Sequence, residues 1–588
     1  MNIDRLSGGT PNTRTLGKTA THSLAALALL LITQPARAQT TLPPDVAPSC
    51  TVPAADFNRW FATGNAAKDG IVLPADSLSF TGDSACAFYR WSQQMFLWVT
   101  SPLGTGHVFE TPQFYEVSPP DPQNGGARTL RAPTAPGQFL SFASSISLVG
   151  DKGQEVVFDS TGKVHNVVRP ETGSTGRIAL LNAANQLAEV KRVVTAQDGK
   201  PLLLDKTDRV IDIKAAPSGA PELRNESGAL RDTSGAIIDL LPKTVLVNGR
   251  PALVTTAGAV IDTEQGQADK SVLMARNKSL VYYLLQVNDV LAYFKTGVQD
   301  ANISPTQTEF PTSQDILDKI TTVARQAPAP HTKQQFPDSN TLTMELKSSW
   351  VETTDLANPG DYITINTTVP TYTQSADNKT LTPAGTKPAK LALVGLHVVG
   401  STNGHPEMIW ATFEHVNNAP NQQYTYTTAS GAPATKPADG AGSWLFSAAG
   451  ASDSPPAQRM TVGANNTIVG ANGQTIGLVD ITRINPWGSD SGSASADTNT
   501  QVISINKSII EQLATGDVRK NYILVGAIWT DGKPPGGSNL LGTIAISNST
   551  METFQQPGNC FDCHGGNMLG SGGGGLSHIW GKTSPLFP

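Results

Sequence analysis

Cysteine is nearly missing from this chain. Among 588 residues only Cys50, Cys86, Cys560 and Cys563 occur, far too few for a disulfide-built scaffold. Charge is scarce too. Asp, Glu, Lys and Arg make up 15% of the residues, and no basic stripe or patch gathers them, so nothing favours a nucleic-acid partner. The low charge also argues against a disordered chain. Past the N-terminus no stretch is long and apolar enough to cross a bilayer. Common catalytic signatures are missing as well: no G-x-S-x-G, no H-E-x-x-H, no P-loop and no dinucleotide fingerprint. The acidic, Ser-rich run Asp490–Asp497 has a spacing that fits no EF-hand and reads as a solvated loop.

What is abundant is turn chemistry. Gly (54) and Pro (41) exceed their usual share beside a hydrophobic content of 39%, a mix that suits a turn-rich β protein. The expected class is mainly β with a few helices (α+β): a β-rich core, inserted β-hairpin repeats and a C-terminal attachment segment. The first 38 residues read as a Sec-type signal peptide. Arg5, Arg14 and Lys18 precede the apolar run Leu24–Ile32, and Ala36-Arg37-Ala38 forms an A-x-A cleavage site. Cleavage after Ala38 would remove four positive charges (Arg5, Arg14, Lys18, Arg37) and one negative (Asp4), taking the formal charge from −6 to −9. The expected compartment is the periplasm or the outside of the cell. In such an oxidising setting Cys50 and Cys86 are expected to pair as a disulfide.

Four stretches follow the leader: 39–149 as the first part of the core, 150–287 as a repeat region, 288–548 as the β-rich remainder, and 549–588 as a Gly-rich terminal segment. In the first, Phe88, Trp91, Met95 and Trp98 recur at helical spacing and predict a core-facing helix from about Cys86. In the second, turn residues 162, 185, 208, 235 and 258 stand 23, 23, 27 and 23 apart, and a weaker sixth copy covers Leu273–Leu280. Each copy reads as strand, tight turn, strand. Second turns such as Asp198-Gly199 and Asn248-Gly249 link the copies, which predicts stacked hairpins in a solenoid or an extended meander. Helices are expected at Asp289–Phe294, Gln314–Arg325 (Ser313 as N-cap) and Asn506–Ala514. Strands are expected at Tyr362–Val369, Lys390–Val399, Glu407–His415, Thr475–Ile481 and Tyr522–Trp529, with long polar loops at 416–440 and 485–500.

The chemistry concentrates in Cys560-Phe561-Asp562-Cys563-His564, a complete C-x-x-C-H. Two thiols two residues apart match the two vinyl groups of a haem, and the next imidazole then meets the iron. A redox C-x-x-C would be expected after a strand in a thioredoxin-like setting, which is missing. A zinc site would need further ligands, and no second C-x-x-C exists. One covalent haem c is therefore the expected cofactor, with thioethers at Cys560 and Cys563 and His564 as proximal ligand. At these residues the chain resembles c-type cytochromes. Met551–Gln555, Leu576–Trp580, Phe88–Pro102 and Gly404–Asn418 are similar to a group of large exported bacterial haem c proteins. Only 24 residues follow His564, so no ordinary cytochrome domain fits downstream and the pocket must come from upstream.

Candidates for the iron's other face are His578, His397 and His415. The fourteen residues from His564 to His578 reach about 46 Å when extended, enough to round a haem edge. Period-2 alternation places Leu391, Leu393, His397 and Val399 on one strand face, and Ile409, Phe413 and His415 on one face of its neighbour. Met568, four residues from His564, is too close to pass round the haem edge; Met551, His331 and His107 are weaker candidates. The leading functional expectation is electron transfer to a redox partner protein. One alternative is a haem-dependent, peroxidase-like oxidoreductase with its substrate pocket in the β-rich domain. Another is a surface or binding protein whose repeats make the contacts.

Overall fold

The computed structural model describes residues 40–119, 127–132, 271–452 and 458–587, apart from 301, 304–307, 463–466, 471–472, 489–492, 537, 557, 565–568, 570–575 and 581–582. It also gives the backbone of ten short strands between 156 and 261. The expected leader, the repeat copy at 181–187 and Met568 lie outside the described residues.

A twelve-stranded antiparallel sheet is the frame. Its main strands are β1 (Phe114–Val117), β2 (Tyr282–Asn288), β3 (Met344–Glu352), β4 (Thr364–Gln374), β5 (Thr380–Thr402), β6 (His405–His415) and β7 (Tyr522–Trp529). Spatially they run β1-β2-β3-β5-β6-β7, with β4 beside the first half of β5. Every residue of β2 and β7 is buried. Their runs, rich in aromatic and aliphatic residues, reflect cover on both faces.

Helices lie on both sides. On one face, α2 (Ala85–Val99) stacks Phe96 on Phe413 at 4.3 Å and Phe88 on Trp529 at 4.0 Å. Ser84 caps it by accepting from the Ala87 amide, and Phe88, Trp91, Met95 and Trp98 are all buried, as core packing requires. Next to it runs α5 (Ser493–Gln512). This helix starts well before the expected 506, inside a stretch expected to be a polar loop. Several of its polar residues are buried and bonded rather than solvated. Asn499 Nδ2 donates to the Thr425 carbonyl at 2.9 Å, and Thr500 Oγ1 accepts from the Thr427 amide at 2.8 Å. Further along, Asn506 accepts from Gln93 Nε2 at 3.0 Å and from the Leu524 amide at 2.8 Å, and Ser504 bonds the Cys50 backbone. A short helix, α1 (Ala54–Trp60), completes this side. The opposite face carries α3 (Asp289–Gln299), α4 (Gln314–Gln326) and a single turn, α6 (Cys560–Cys563). Ser313 occupies the N-cap of α4 without a side-chain capping bond.

Two expectations about strands are corrected. Leu391 and Leu393 do not share a face with His397. Ser349 pairs with Gly395 but Trp350 with Leu393, a bulge that inserts one residue into β5 and inverts its alternation. Leu391 and Leu393 therefore join the α2 side, whereas Val399 joins the apolar cluster with α3 and α4. Thr475–Ile481 forms no strand. It is extended chain whose amides reach isolated carbonyls, Val479 to Met274 and Ile481 to Phe446.

The hairpin pattern is visible in the backbone at 156–261. Antiparallel strand pairs stand on either side of positions 162, 208, 235 and 258, and 192–196 pairs with 201–204 and 243–247 with 250–254. Strands from 156 to 211 form one five-stranded meander. The sixth copy closes with a Met274–Leu280 bridge and is part of the core.

Cys50 and Cys86, 36 positions apart in sequence, form a disulfide with Cα atoms 5.4 Å apart. It ties the start of α2 to the preceding chain. Replacing both with serine is expected to lower unfolding stability by about 2–4 kcal/mol, the entropic worth of a closed loop of this size. Urea unfolding of the oxidised protein and the double variant measures it, and an unchanged midpoint would contradict it. Among the described residues no helix is long and apolar enough to cross a membrane.

Candidate functional site

The five motif residues fold as one capped helical turn. Asn559 Oδ1 accepts from the Phe561 amide at 2.9 Å, and Asp562 Oδ2 accepts from the Asn559 amide at 2.8 Å, a reciprocal capping box. Three-residue spacing puts Cys560 and Cys563 on one side of that turn. Both thiols are free and half-buried. His564 follows as the cap residue, its amide donating to the Cys560 carbonyl at 2.8 Å. Phe561 points away and is buried 5.9 Å from Trp410.

The turn is seated on the α3 face of the sheet by a polar clamp. Asn548 Nδ2 donates to Thr412 Oγ1 and the Phe413 carbonyl, Ser549 donates to Glu414, and Thr550 meets Ser349 at 2.7 Å. Gly395 permits this approach. A Cβ there would stand 2.6 Å from both Ser349 Oγ and Thr550 Oγ1.

Between the turn and the sheet lies a cavity of about 130 Å³, lined by Cys560, Cys563, His564 and His578 and by side chains of β2, β3, β5 and β6. Cross-strand pairing explains which strand residues reach it. Leu285, Lys347, His397 and Thr412 form one row, and Glu345, Val399 and Trp410 the next. Apolar walls with a few convergent polar groups are the usual make-up of a cofactor or ligand site.

His564 is held on three sides. Its Nδ1 donates to the Leu576 carbonyl at 2.7 Å, so the proton sits on Nδ1 and the Nε2 lone pair is left for a ligand. Trp410 packs against the ring at 4.4 Å, and His578 stacks on it at 3.9 Å with 12° between planes. Burial, then the nearness of His578, lowers the His564 pKa well below the ordinary histidine value, with Lys347 and His397 adding to the shift, so the ring is neutral. Burial and the Glu552 carboxylate raise both thiols, Cys563 to about 11. Neither is a ready thiolate, which disfavours a redox dithiol.

The other candidate residues separate. His397 lines the cavity, with Nε2 3.0 Å from Glu552 Oε1. Glu552 also accepts from the Asn548 amide through Oε2. Burial opposes its ionisation, but His397 and Lys347 outweigh that and hold its carboxyl below the ordinary value. His415 is not at the cavity. It is buried in the core, stacked on Tyr362 at 3.7 Å, with ring nitrogens at the Asp361 carbonyl and the Asn417 amide. His578 is at the cavity but on the wrong side for a sixth ligand. Two imidazoles 3.9 Å apart and nearly parallel leave no room for a macrocycle between them. Met551 is buried in a separate apolar cluster, and His107 pairs with Glu110.

Lys347, Glu345, Trp410 and Glu552 were not expected from sequence. No family model, curated protein or solved structure matches the chain.

Proposed function

We propose that this is an exported protein carrying one covalent haem c in the cavity beneath α6, attached through Cys560 and Cys563 with His564 as proximal ligand. We further propose that it passes single electrons to a redox partner protein. The observation that carries the reading is the Nδ1–Leu576 bond. It presents a neutral imidazole with Nε2 unprotonated, one residue past two unpaired thiols on one turn, at the mouth of a largely apolar cavity. Such a bond is the usual outer support of a ligating histidine. No three His, Cys, Asp or Glu side chains among the described residues are grouped to hold a metal ion, and a haem asks for no such group, since its ring supplies four of the iron's ligands. When bound, the haem supplies a one-electron iron couple whose potential follows its ligands and its burial. Three of the four segments that resemble haem c proteins contribute Trp410, Glu552, Leu576 and His578 to the site. The Cys50–Cys86 disulfide suits export to the periplasm or beyond, along with the leader at 1–38.

A second reading, a haem-dependent oxidoreductase, draws on the His397–Glu552 pair in the cavity wall and on the position of His578 beside the proximal ligand. A carboxylate-held imidazole in such a place suits proton transfer to a small substrate.

Purified protein expressed with its leader in a host that attaches haem c tests both. The expected result is haem that stays with the denatured chain and a pyridine haemochrome of the two-thioether type. Cys560→Ser with Cys563→Ser should abolish the covalent haem. A colourless wild-type protein from that host would overturn the proposal. A low-spin spectrum in both redox states supports the carrier, and a high-spin form that binds CO supports the enzyme.

A further inference from the structure

We infer that His578 is a positioning residue for the proximal ligand: the C-terminal strap Leu576–Trp580 folds back over the haem-attachment turn and sets the donor strength of His564. The inference rests on the haem reading above and assigns a role to a residue that the sequence suggested for the opposite face of the iron.

Three contacts define the strap. Leu576 receives the Nδ1 proton of His564 at 2.7 Å, His578 Nε2 donates to the Cys563 carbonyl at 2.9 Å, and the two imidazoles stack at 3.9 Å. The first contact controls the ligand directly, because a strong acceptor on Nδ1 pushes electron density toward Nε2. The second and third hold the first in place, since His578 is two residues from Leu576 and bonds the residue just before His564.

The strap is itself anchored. Trp580 is buried 5.1 Å from Phe294 and 5.6 Å from Phe310, and Lys295, inside α3, lies 4.9 Å over its ring and donates to its carbonyl. With one end fixed at Trp580, His578 is the side chain that fixes the other end against the turn.

A weaker Nδ1 acceptor makes His564 a poorer donor, which disfavours ferric iron relative to ferrous. His578→Ala in the full-length holoprotein should therefore keep its covalent haem and its spin state while its midpoint potential rises. Outer-shell changes of this kind act at about tenfold or more. A tenfold loss of ferric preference is a rise of about 59 mV for one electron. His578→Phe keeps the stack and loses the bond to Cys563, so its potential should fall between wild type and the alanine variant.

Spectroelectrochemical titration together with low-temperature electron paramagnetic resonance makes the test. An unchanged spin state with ordered potentials, wild type lowest and alanine highest, supports the role. Conversion of a low-spin wild type to a high-spin, CO-binding form in both variants would make His578 a ligand and overturn it. Potentials equal to wild type in both variants would overturn it as well. Wild-type protein without covalent haem removes the haem reading and this inference together, and that outcome is read before any variant is made.

Discussion

Glu414→Ala is expected to destabilise the fold by about 3–5 kcal/mol, the cost of leaving one member of a buried ion pair alone. Glu414 is fully buried near the end of β6, and the Arg483 side chain, 3% exposed, meets it at 2.7 Å. The carboxylate has further duties: it accepts from the Ser549 amide at 2.6 Å and from the Ser549 hydroxyl. Removing it strands the guanidinium, which keeps only polar contacts to Asn421, Ala419 and Thr40. It also frees the first residues of the clamp that seats the Cys560–His564 turn. Stability and, on the proposed haem reading, covalent attachment should therefore fall together. Urea unfolding followed by tryptophan fluorescence gives the first quantity, and haem bound per chain gives the second. Glu414→Gln retains an acceptor for Ser549 but not the charge, so it should recover more of the haem content than of the stability. A loss under about 1 kcal/mol in the alanine variant would show that Arg483 finds another partner or water.

The same network explains what could and could not be read from the sequence. Features carried by neighbours in the chain were legible. Cys560–His564 do stand together on one turn, and Cys50 and Cys86 were the pair left over. The α2 face repeats at 3.6, and β7 is an unbroken apolar run. Each of these is local, or settled by elimination. The cavity wall is not local. Lys347 and His397 are neighbours only because β3 and β5 pair, and His397 faces the cavity only because a bulge at Ser349–Gly395 reverses the alternation. Glu552 reaches His397 because Gly395 leaves space for the clamp. A polar composition concealed the first half of α5, because hydrogen bonds inside the core satisfy it. His578 shows the limit of a reach argument: a fourteen-residue span bounds where the ring can go, while the Cys563 carbonyl decides where it stays.

Trp410 is where core and site become one object, and this makes the second large prediction. The indole is 6% exposed within the apolar cluster of Val399, Ile528 and Phe561, and its Nε1 donates to the Glu407 carbonyl at 2.9 Å. Its ring also meets the His564 imidazole at 4.4 Å. Trp410→Ala should cost about 3–5 kcal/mol, as large aromatic truncations in close-packed cores do. The cavity it opens lies directly under the attachment turn, so the loss should show first there. Limited proteolysis should cut the alanine variant within 557–588 before it cuts the sheet, at denaturant concentrations where wild type resists. Trp410→Phe keeps a ring under His564 and loses one hydrogen bond, so its cost should be nearer 1 kcal/mol and its C-terminal segment should stay protected. If the alanine variant instead unfolds in one step, with the segment and the sheet cleaved in parallel, the turn is as firmly part of the core as β6 itself. The turn would then have no local stability of its own to tune.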